Sequence, residues 1–364
     1  MRTESLTFMN DEIGKSTFKA LIAHLEEDGT TRLEVLVRTA QELYLPETHR
    51  SKPSVAIQVH YSSLNYKDAL SASGNRGITK KFPHVPGIDA AGIVLASEDK
   101  RFQEGDQVIV TGYDLGSNTS GGFGGRINVP ANWVVPLPDG LTLREAMVIG
   151  TAGFTAAYGV KKLLDNGLTP TMQGRQTPPS ILVTGASGGV GSMAVGILHR
   201  LGFRVLATTG KREAHDFLTS AGADEVYDRS FLTEVDPDRL LLSARWDGAI
   251  DTVGGEMLQA VIRQTAQAGV IACCGNVVGH ELHTNIYPFI LRGVGLMGID
   301  SALCEMSIRQ QLWHHLASDW RPKNLGHMIA KEVDLHGLIP EIATMLRGGQ
   351  IGRVLVTHQT ESKP

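Results

Sequence analysis

The residues with the clearest chemical purpose are the glycines of GASGGVG, Gly185 to Gly191. This turn directly follows the apolar run ILVTG and directly opens a helical pattern, the context in which a glycine turn binds a dinucleotide. A side chain here would hold the backbone away from a pyrophosphate. Gly188, Gly189 and Gly191 let the chain approach one and let the helix pack on the sheet. The helix N-terminus then offers free N–H groups and a partial positive charge. The spacing departs from plain GxGxxG, with Ala186 in the first glycine's slot, and a tight turn without a ligand would have the same composition.

The next strand selects the cofactor. An NAD site has Asp or Glu at the end of that strand, accepting from the ribose 2′-hydroxyl. Here the strand ends Ala207-Thr208-Thr209-Gly210-Lys211-Arg212. No acid is present, and a hydroxyl and two cations stand where a 2′-phosphate would lie. An acid would repel that phosphate and Lys211 and Arg212 would attract it, so NADP is expected over NAD.

The elements around the turn fix its setting. ILVTG, RVLATT, DEVYD, DGAIDTV, GVIACCGN and GVGLMGI form six short apolar runs with crossover segments between them. Continuous apolar runs, without alternation, mark a parallel sheet buried on both faces, and six such units make a doubly wound dinucleotide-binding domain. Before about Leu143 the texture differs. FKALIAHLEEDGTTRLEVLVRTA predicts a hairpin around Asp28-Gly29, and SVAIQVHY, AAGIVLA and DQVIVTGY are short strands broken by Gly and Pro. That region reads as a small β-barrel or sandwich. At the C-terminal end, AKEVDLHGLIPEIATMLRGG predicts a helix and IGRVLVTH a strand. Residues 1 to about 17 read as a loose polar tail.

Composition bounds the class. The chain has 364 residues, enough for two domains, and 42% hydrophobic residues, enough for buried cores. Its net charge of −4 argues against nucleic acid as the main partner. Three cysteines, Cys273, Cys274 and Cys304, allow no disulfide framework and no CxxC zinc pair. The N-terminus has no apolar core of signal-peptide length. Ile181 to Leu198 is uncharged and long enough for a membrane span, but five glycines and three hydroxyls make it a strand, a turn and a buried helix. A cytoplasmic protein is expected, with no membrane or nucleic-acid partner.

Several motifs together resemble a family. GTAGFTAA (150–157), VTGASGGVG (183–191), AIDTVGG (249–255), NYKDAL (65–70), VPGIDAAG (85–92) and EGDQVIVTG (104–112) resemble the zinc-free quinone oxidoreductase group of the medium-chain dehydrogenase/reductases. SSLNYKDAL, PFILRGVGLMGIDS and QIGRVLV resemble its acrylyl-CoA reductase branch more narrowly. The resemblance runs from about Phe18 to His358. It implies an α/β protein: a GroES-like β-barrel catalytic domain over 18–149 and 323–364, and a doubly wound parallel-sheet Rossmann domain over 150–322. It also implies a homodimer. Zinc members carry a Cys early and a Gly-His-Glu further on. Here those segments read NYKDAL and PGIDAAG, so no metal is expected. Without a Lewis acid, alcohol oxidation is disfavoured, whereas an activated C=C bond needs less polarisation.

The expected reaction is NADPH-dependent reduction of a short 2-enoyl thioester, acrylyl-CoA to propionyl-CoA, by hydride transfer to the β-carbon. The site should offer donors to the enolate oxygen and a proton to the α-carbon. Asn65 and Tyr66 are the first candidates to line the nicotinamide–substrate cleft, and by resemblance Tyr66 touches NADP. Asp89 lies among small apolar residues, where a carboxylate is costly unless bonded, and is a third catalytic candidate or a structural acceptor. Lys67 and Asp68 pair with each other or cap a helix. The resemblance assigns Ser187, Gly188, Gly189 and Val190 to the pyrophosphate, and Thr209, Gly210 and Lys211 to the 2′-phosphate. Arg229 is assigned to the adenosine end. Asn276, Ile290 and Ser301 follow later strands at the carboxyl edge, where ligands bind such sheets. Thr155 offers a hydroxyl to the nicotinamide side, and Arg353 a cation to the cofactor or to a CoA phosphate, or else a surface ion pair. Two other readings stay open: a quinone or enone reductase of the same fold, and an NADPH-binding protein without turnover.

Overall fold

In the computed structural model of the chain, residues 16–358 are described, apart from 44, 47, 173 and 237. The expected polar tail therefore lies almost entirely outside the described residues. The chain divides into two units: residues to Thr151, with Ala302–Gln310 and from Ile329 onward, and Ala152–Ser301 with Gln311–Met328.

The first unit opens with an antiparallel hairpin, β1 (Thr17–Leu25) and β2 (Thr31–Thr39). Its turn closes at Asp28-Gly29 as the sequence predicts. Gly29 takes φ +83°, and the Asp28 carboxylate accepts from the Thr30 N–H at 2.9 Å. Then come β3 (Ser54–Leu64), β4 (Asp89–Ser97), β5 (Gln107–Thr111), β6 (Arg126–Pro130) and β7 (Val134–Pro136). β3 pairs antiparallel with both β4 and β6, and its Val55, Ile57 and Val59 face a core shared with Val94, Val108, Val110, Ile127 and Val129. Alternating β-branched residues on a half-buried sheet explain why these short runs hold as strands.

The second unit contains β8 (Ser180–Val183), β9 (Arg204–Thr209), β10 (Glu225–Asp228), β11 (Trp246–Asp251), β12 (Thr265–Cys273) and β13 (Gly295–Gly298). They form one sheet in the order β10-β9-β8-β11-β12-β13, every pairing parallel. This is the six-stranded doubly wound sheet that the apolar runs predict. The strand order reverses between β8 and β11, and ligands bind such sheets outside the carboxyl ends at that point. Ile181 to Leu198 resolves as β8, the glycine turn and most of helix Gly189–Leu201. Among the described residues, no helix is long and apolar enough to cross a membrane.

The chain returns to the first unit through β14 (Ile329–Val333) and β15 (Arg353–Thr357). They complete a sheet in the order β14-β15-β3-β4-β5-β7. Here the structure corrects one expectation. The segment from Ala330 is not helical throughout: Ile329–Val333 pairs parallel with β15, and the helix begins only at Leu335. Asp334 sets the break, its Oδ1 accepting from the Gly337 N–H at 2.8 Å as an N-cap.

Candidate active site

In the second unit, the glycine turn occupies the carboxyl end of β8. Gly185 has φ +58°, and a Cβ at Gly191 would lie 2.5 Å from the Gly185 carbonyl oxygen, so the helix packs against the turn only because Gly191 has no side chain. Gly188 is the N-cap of helix Gly189–Leu201 and has no side chain to cap it, so the first-turn N–H groups face outward. Gly188, Gly189 and Val190 are half-buried, and Ser187 is buried behind them.

The switch point is clamped from both sides. Asp251, at the end of β11, is fully buried. It accepts from the Thr184 hydroxyl at 2.6 Å and from the Gly254 N–H at 2.8 Å. The Thr184 hydroxyl oxygen in turn accepts from the Thr252 N–H at 3.0 Å. Burial pushes the Asp251 carboxyl up, and the Thr184 and Gly254 bonds act against that. This clamp ties the glycine turn to AIDTVGG. The sequence shows Asp251, but only the register brings it to Thr184.

At the end of β9, the Ser187 and Thr209 hydroxyls are 2.8 Å apart, and the Thr209 oxygen accepts from the Lys211 N–H at 3.2 Å. Gly210 is exposed, and the Arg229 guanidinium lies where a Cβ on Gly210 would go. Partial burial lowers the Lys211 ammonium from its ordinary value, while Glu213 acts in the opposite direction. Thr209, Gly210, Lys211 and Arg229 thus come together beside Ser187. Elsewhere in this unit, the Thr155 hydroxyl donates to Ser301 Oγ at 2.7 Å, joining two residues 146 apart in sequence. Asn276 and Ile290 are exposed and make no part of either cluster.

In the first unit, Asn65 ends β3 and is the N-cap of the short helix Tyr66–Ala72. Asp68 completes a capping box. Its Oδ2 accepts from the Asn65 N–H at 2.8 Å, and its Oδ1 from the Ile88 N–H at 2.7 Å. Around this cap lies a closed polar network. The Asn65 amide donates to Asp89 at 2.8 Å and its oxygen accepts from Arg353 at 3.2 Å. Asp89 also accepts from the Ser63 hydroxyl at 2.6 Å, and from the Thr151 N–H and hydroxyl. Arg353 donates to Ser63 Oγ at 2.7 Å and to the Val148 carbonyl at 3.0 Å. Gly150 makes room for it: with φ +51° and ψ −160° it breaks helix Leu143–Asp165, and a Cβ there would lie 2.5 Å from an Asp89 oxygen. Burial and the neighbouring Asp89 charge push the Asp68 carboxyl up to about 7. Tyr66, at the first helical position, is 38% exposed and has no hydrogen-bond partner among the described residues.

Two family models match: "Alcohol dehydrogenase GroES-like domain" over residues 51–139, and "Zinc-binding dehydrogenase" over 189–318. Acrylyl-CoA reductase AcuI of Ruegeria pomeroyi is 42% identical over 342 residues, covering 93% of this chain and 98% of its own. The chain belongs to the medium-chain dehydrogenase/reductase family. YhfP of Bacillus subtilis, which bears a quinone oxidoreductase name, is 42% identical over 93% of this chain and 98% of its own. The structure of yhfP with NAD bound superposes with a TM-score of 0.87, at 41% identity, over 94% of this chain and all of that one. The yhdH oxidoreductase of Salmonella enterica in complex with NADP superposes at 0.86, with 39% identity, over 94% of this chain and all of that one.

The matched dehydrogenase model is named for zinc. The segments NYKDAL and PGIDAAG, which the resemblance sets against the zinc members' ligand segments, hold no Cys and no His-Glu. Among the described residues, no group of three or more His, Cys, Asp or Glu side chains is placed to hold a metal.

The geometry alters three expected roles. Asp89 is fully buried and its oxygens are taken by Ser63, Asn65 and Thr151, which leaves no lone pair facing a substrate. Its bonding is that of the structural acceptor. Arg353 is 2% exposed and bonded to four groups of its own unit, so neither the expected cofactor contact nor a surface ion pair fits. Asn65 is likewise spent on Asp89, Asp68, Ser63 and Arg353, and acts as a positioning residue. Ser63 and Thr151, which close the network, carry no signal in the sequence beyond being hydroxyls beside the named motifs.

Proposed function

We propose that the protein is an NADPH-dependent reductase of a short 2-enoyl-CoA, with acrylyl-CoA converted to propionyl-CoA. The observation that carries the cofactor part is the cluster beyond β9. A hydroxyl (Thr209) and two cations (Lys211 and Arg229) lie around the exposed Gly210, and β9 itself ends without an acid. The close approach allowed at Gly188 and Gly191 fits a diphosphate at the same strand edge. The NADP in the Salmonella relative's structure agrees; the NAD in yhfP makes the 2′-phosphate contacts the point to test.

When bound, NADPH supplies the hydride, which this reading sends to the β-carbon of the thioester. The helix N-terminus at Gly189 holds the pyrophosphate, and Lys211 and Arg229 hold the 2′-phosphate. Thr155, held by Ser301, orders the start of the second unit on the nicotinamide side. Tyr66 is the group left free to donate, either to the enolate oxygen or as the proton source for the α-carbon. Asn65, Asp89, Asp68 and Arg353 fix the helix on which Tyr66 stands.

The acyl group rests on likeness to AcuI of Ruegeria pomeroyi. The quinone name of YhfP favours a second reading, reduction of a quinone or enone. The test follows loss of NADPH absorbance with acrylyl-CoA, a simple benzoquinone and free acrylate. Fast turnover with the thioester alone supports the proposal. Turnover with quinone alone replaces it with the second reading, and NADPH binding without turnover of any of the three removes catalysis from the account.

A further inference from the structure

The first unit contains a groove of about 550 Å³ that the reaction scheme does not use. That is the size of a small-molecule site. Its wall includes His49, Lys80 and Lys81, Asp114, and residues 117–120. Among its described lining residues are the cations Lys80 and Lys81, the pair Arg38 and Glu42, and Asp114. Both acids are already engaged: Glu42 pairs with Arg38, and Asp114 lies 3.5 Å from His49 Nε2. Lys80 and Lys81 are adjacent, exposed and paired with no carboxylate among the described residues. Among the described residues, these two ammonium groups are uncompensated.

A second observation points to a ligand. Ser117 lines the groove, is only 2% exposed, and its hydroxyl has no hydrogen-bond partner among the described residues. His49, also in the lining, has a buried Nδ1 without a partner among the described residues. Buried hydroxyls are nearly always bonded, so an unbonded one in the lining of a groove that also carries two exposed ammonium groups fits a missing acceptor. Phosphate oxygens are such acceptors, and charge-assisted bonds to them are the strong kind.

The groove is also tied to the helix that presents Tyr66. The Ser71 hydroxyl, near the end of that helix, is 2.7 Å from the Thr79 hydroxyl and 3.4 Å from the Gly116 carbonyl, next to Ser117. Seven residues at 1.5 Å each put the helix ends roughly 10 Å apart, within the span of a pantetheine arm.

We propose that this groove binds the phosphate-bearing adenosine end of a CoA thioester, with Lys80, Lys81 and Ser117 as its phosphate contacts. The proposal rests on the enoyl-CoA reading and supplies what separates it from quinone reduction, since a quinone brings no phosphate.

The test has two arms. In the first, adenosine 3′,5′-bisphosphate is titrated into the full chain saturated with NADP, so that the 2′-phosphate site is filled. The expectation is saturable binding, weaker in higher salt, that falls at least about tenfold in Lys80→Glu/Lys81→Glu and by a smaller factor in Ser117→Ala. No binding, equal affinity in the lysine variant, or inorganic phosphate binding as well as the nucleotide would each overturn the proposal. In the second arm, KM is compared for acrylyl-CoA and for the acrylyl thioester of N-acetylcysteamine. The lysine variant should raise the ratio of the two about tenfold. If acrylyl-CoA is reduced and that ratio does not move, the groove assignment fails and the enoyl-CoA reading stands. If acrylyl-CoA is not reduced but nucleotide binding depends on the lysines, the enoyl-CoA reading fails and the groove stands.

Discussion

Arg353→Leu tests whether the network around Asn65 is structural. The guanidinium donates to Val148 O at 3.0 Å, Leu64 O at 3.4 Å, Asn65 Oδ1 at 3.2 Å and Ser63 Oγ at 2.7 Å, and lies 3.8 Å from Asp89. Leucine fills much of the space but leaves two buried carbonyls without this donor and Asp89 without its nearest cation. Breaking a buried pair by removing one partner costs about 3–5 kcal/mol. Asp89 keeps the donors Ser63, Asn65 and Thr151, so the lower end, about 3 kcal/mol, is expected. Arg353→Lys keeps the charge but not the fork, and should lose about half as much. The assay is urea unfolding followed by far-ultraviolet circular dichroism, with Asp89→Asn and the double variant completing a cycle. A coupling energy of about 1–2 kcal/mol is expected between the two sites. A Leu variant within about 1 kcal/mol of the parent, or strict additivity with Asp89→Asn, would refute a working buried network.

Four further outcomes follow from the same geometry. The Asp68 carboxyl is held near 7 in the folded chain against 3.8 unfolded, so its proton stabilises the fold fully below about pH 4 and the gain is lost as pH rises to 7. The unfolding free energy from urea titrations should fall over that range by up to about 1.4 kcal/mol per pH unit, and Asp68→Asn should flatten the slope; an unchanged slope refutes the assignment. Gly150→Ala adds a Cβ 2.5 Å from Asp89 at φ +51°, and strain plus overpacking should cost about 3–5 kcal/mol in the same unfolding assay. Lys211→Glu should raise the Kd for NADPH about a hundredfold and leave that for NADH nearly unchanged; an equal effect on both would remove Lys211 from the 2′-phosphate site. Tyr66→Phe keeps the ring and removes the donor, so kcat for acrylyl-CoA should fall about a hundredfold while the Kd for NADPH moves less than about threefold.

Local rules determined much of this protein. Short apolar runs without alternation, set between crossover segments, pointed to buried parallel strands, and GASGGVG between a strand and a helix marked where a diphosphate can approach. The basic end of β9 was equally legible, because the relevant residues are consecutive. The Asn65–Asp68 cap is a four-residue pattern and was within reach as well. What the sequence could not decide were the partnerships between distant residues. Arg353 stands 290 positions from Ser63 and 288 from Asn65, and nothing local distinguishes a strand-end surface cation from one buried against a carboxylate. Only the pairing of β15 with β3 brings them together and turns three suspected site residues into a scaffold. The break at Asp334 is of the same kind: AKEV can continue a helix by propensity, and pairing with β15 makes it a strand. The groove at Lys80, Lys81 and Ser117 depends on segments that meet only in the fold, because charge along a chain says nothing about which charges remain uncompensated in space.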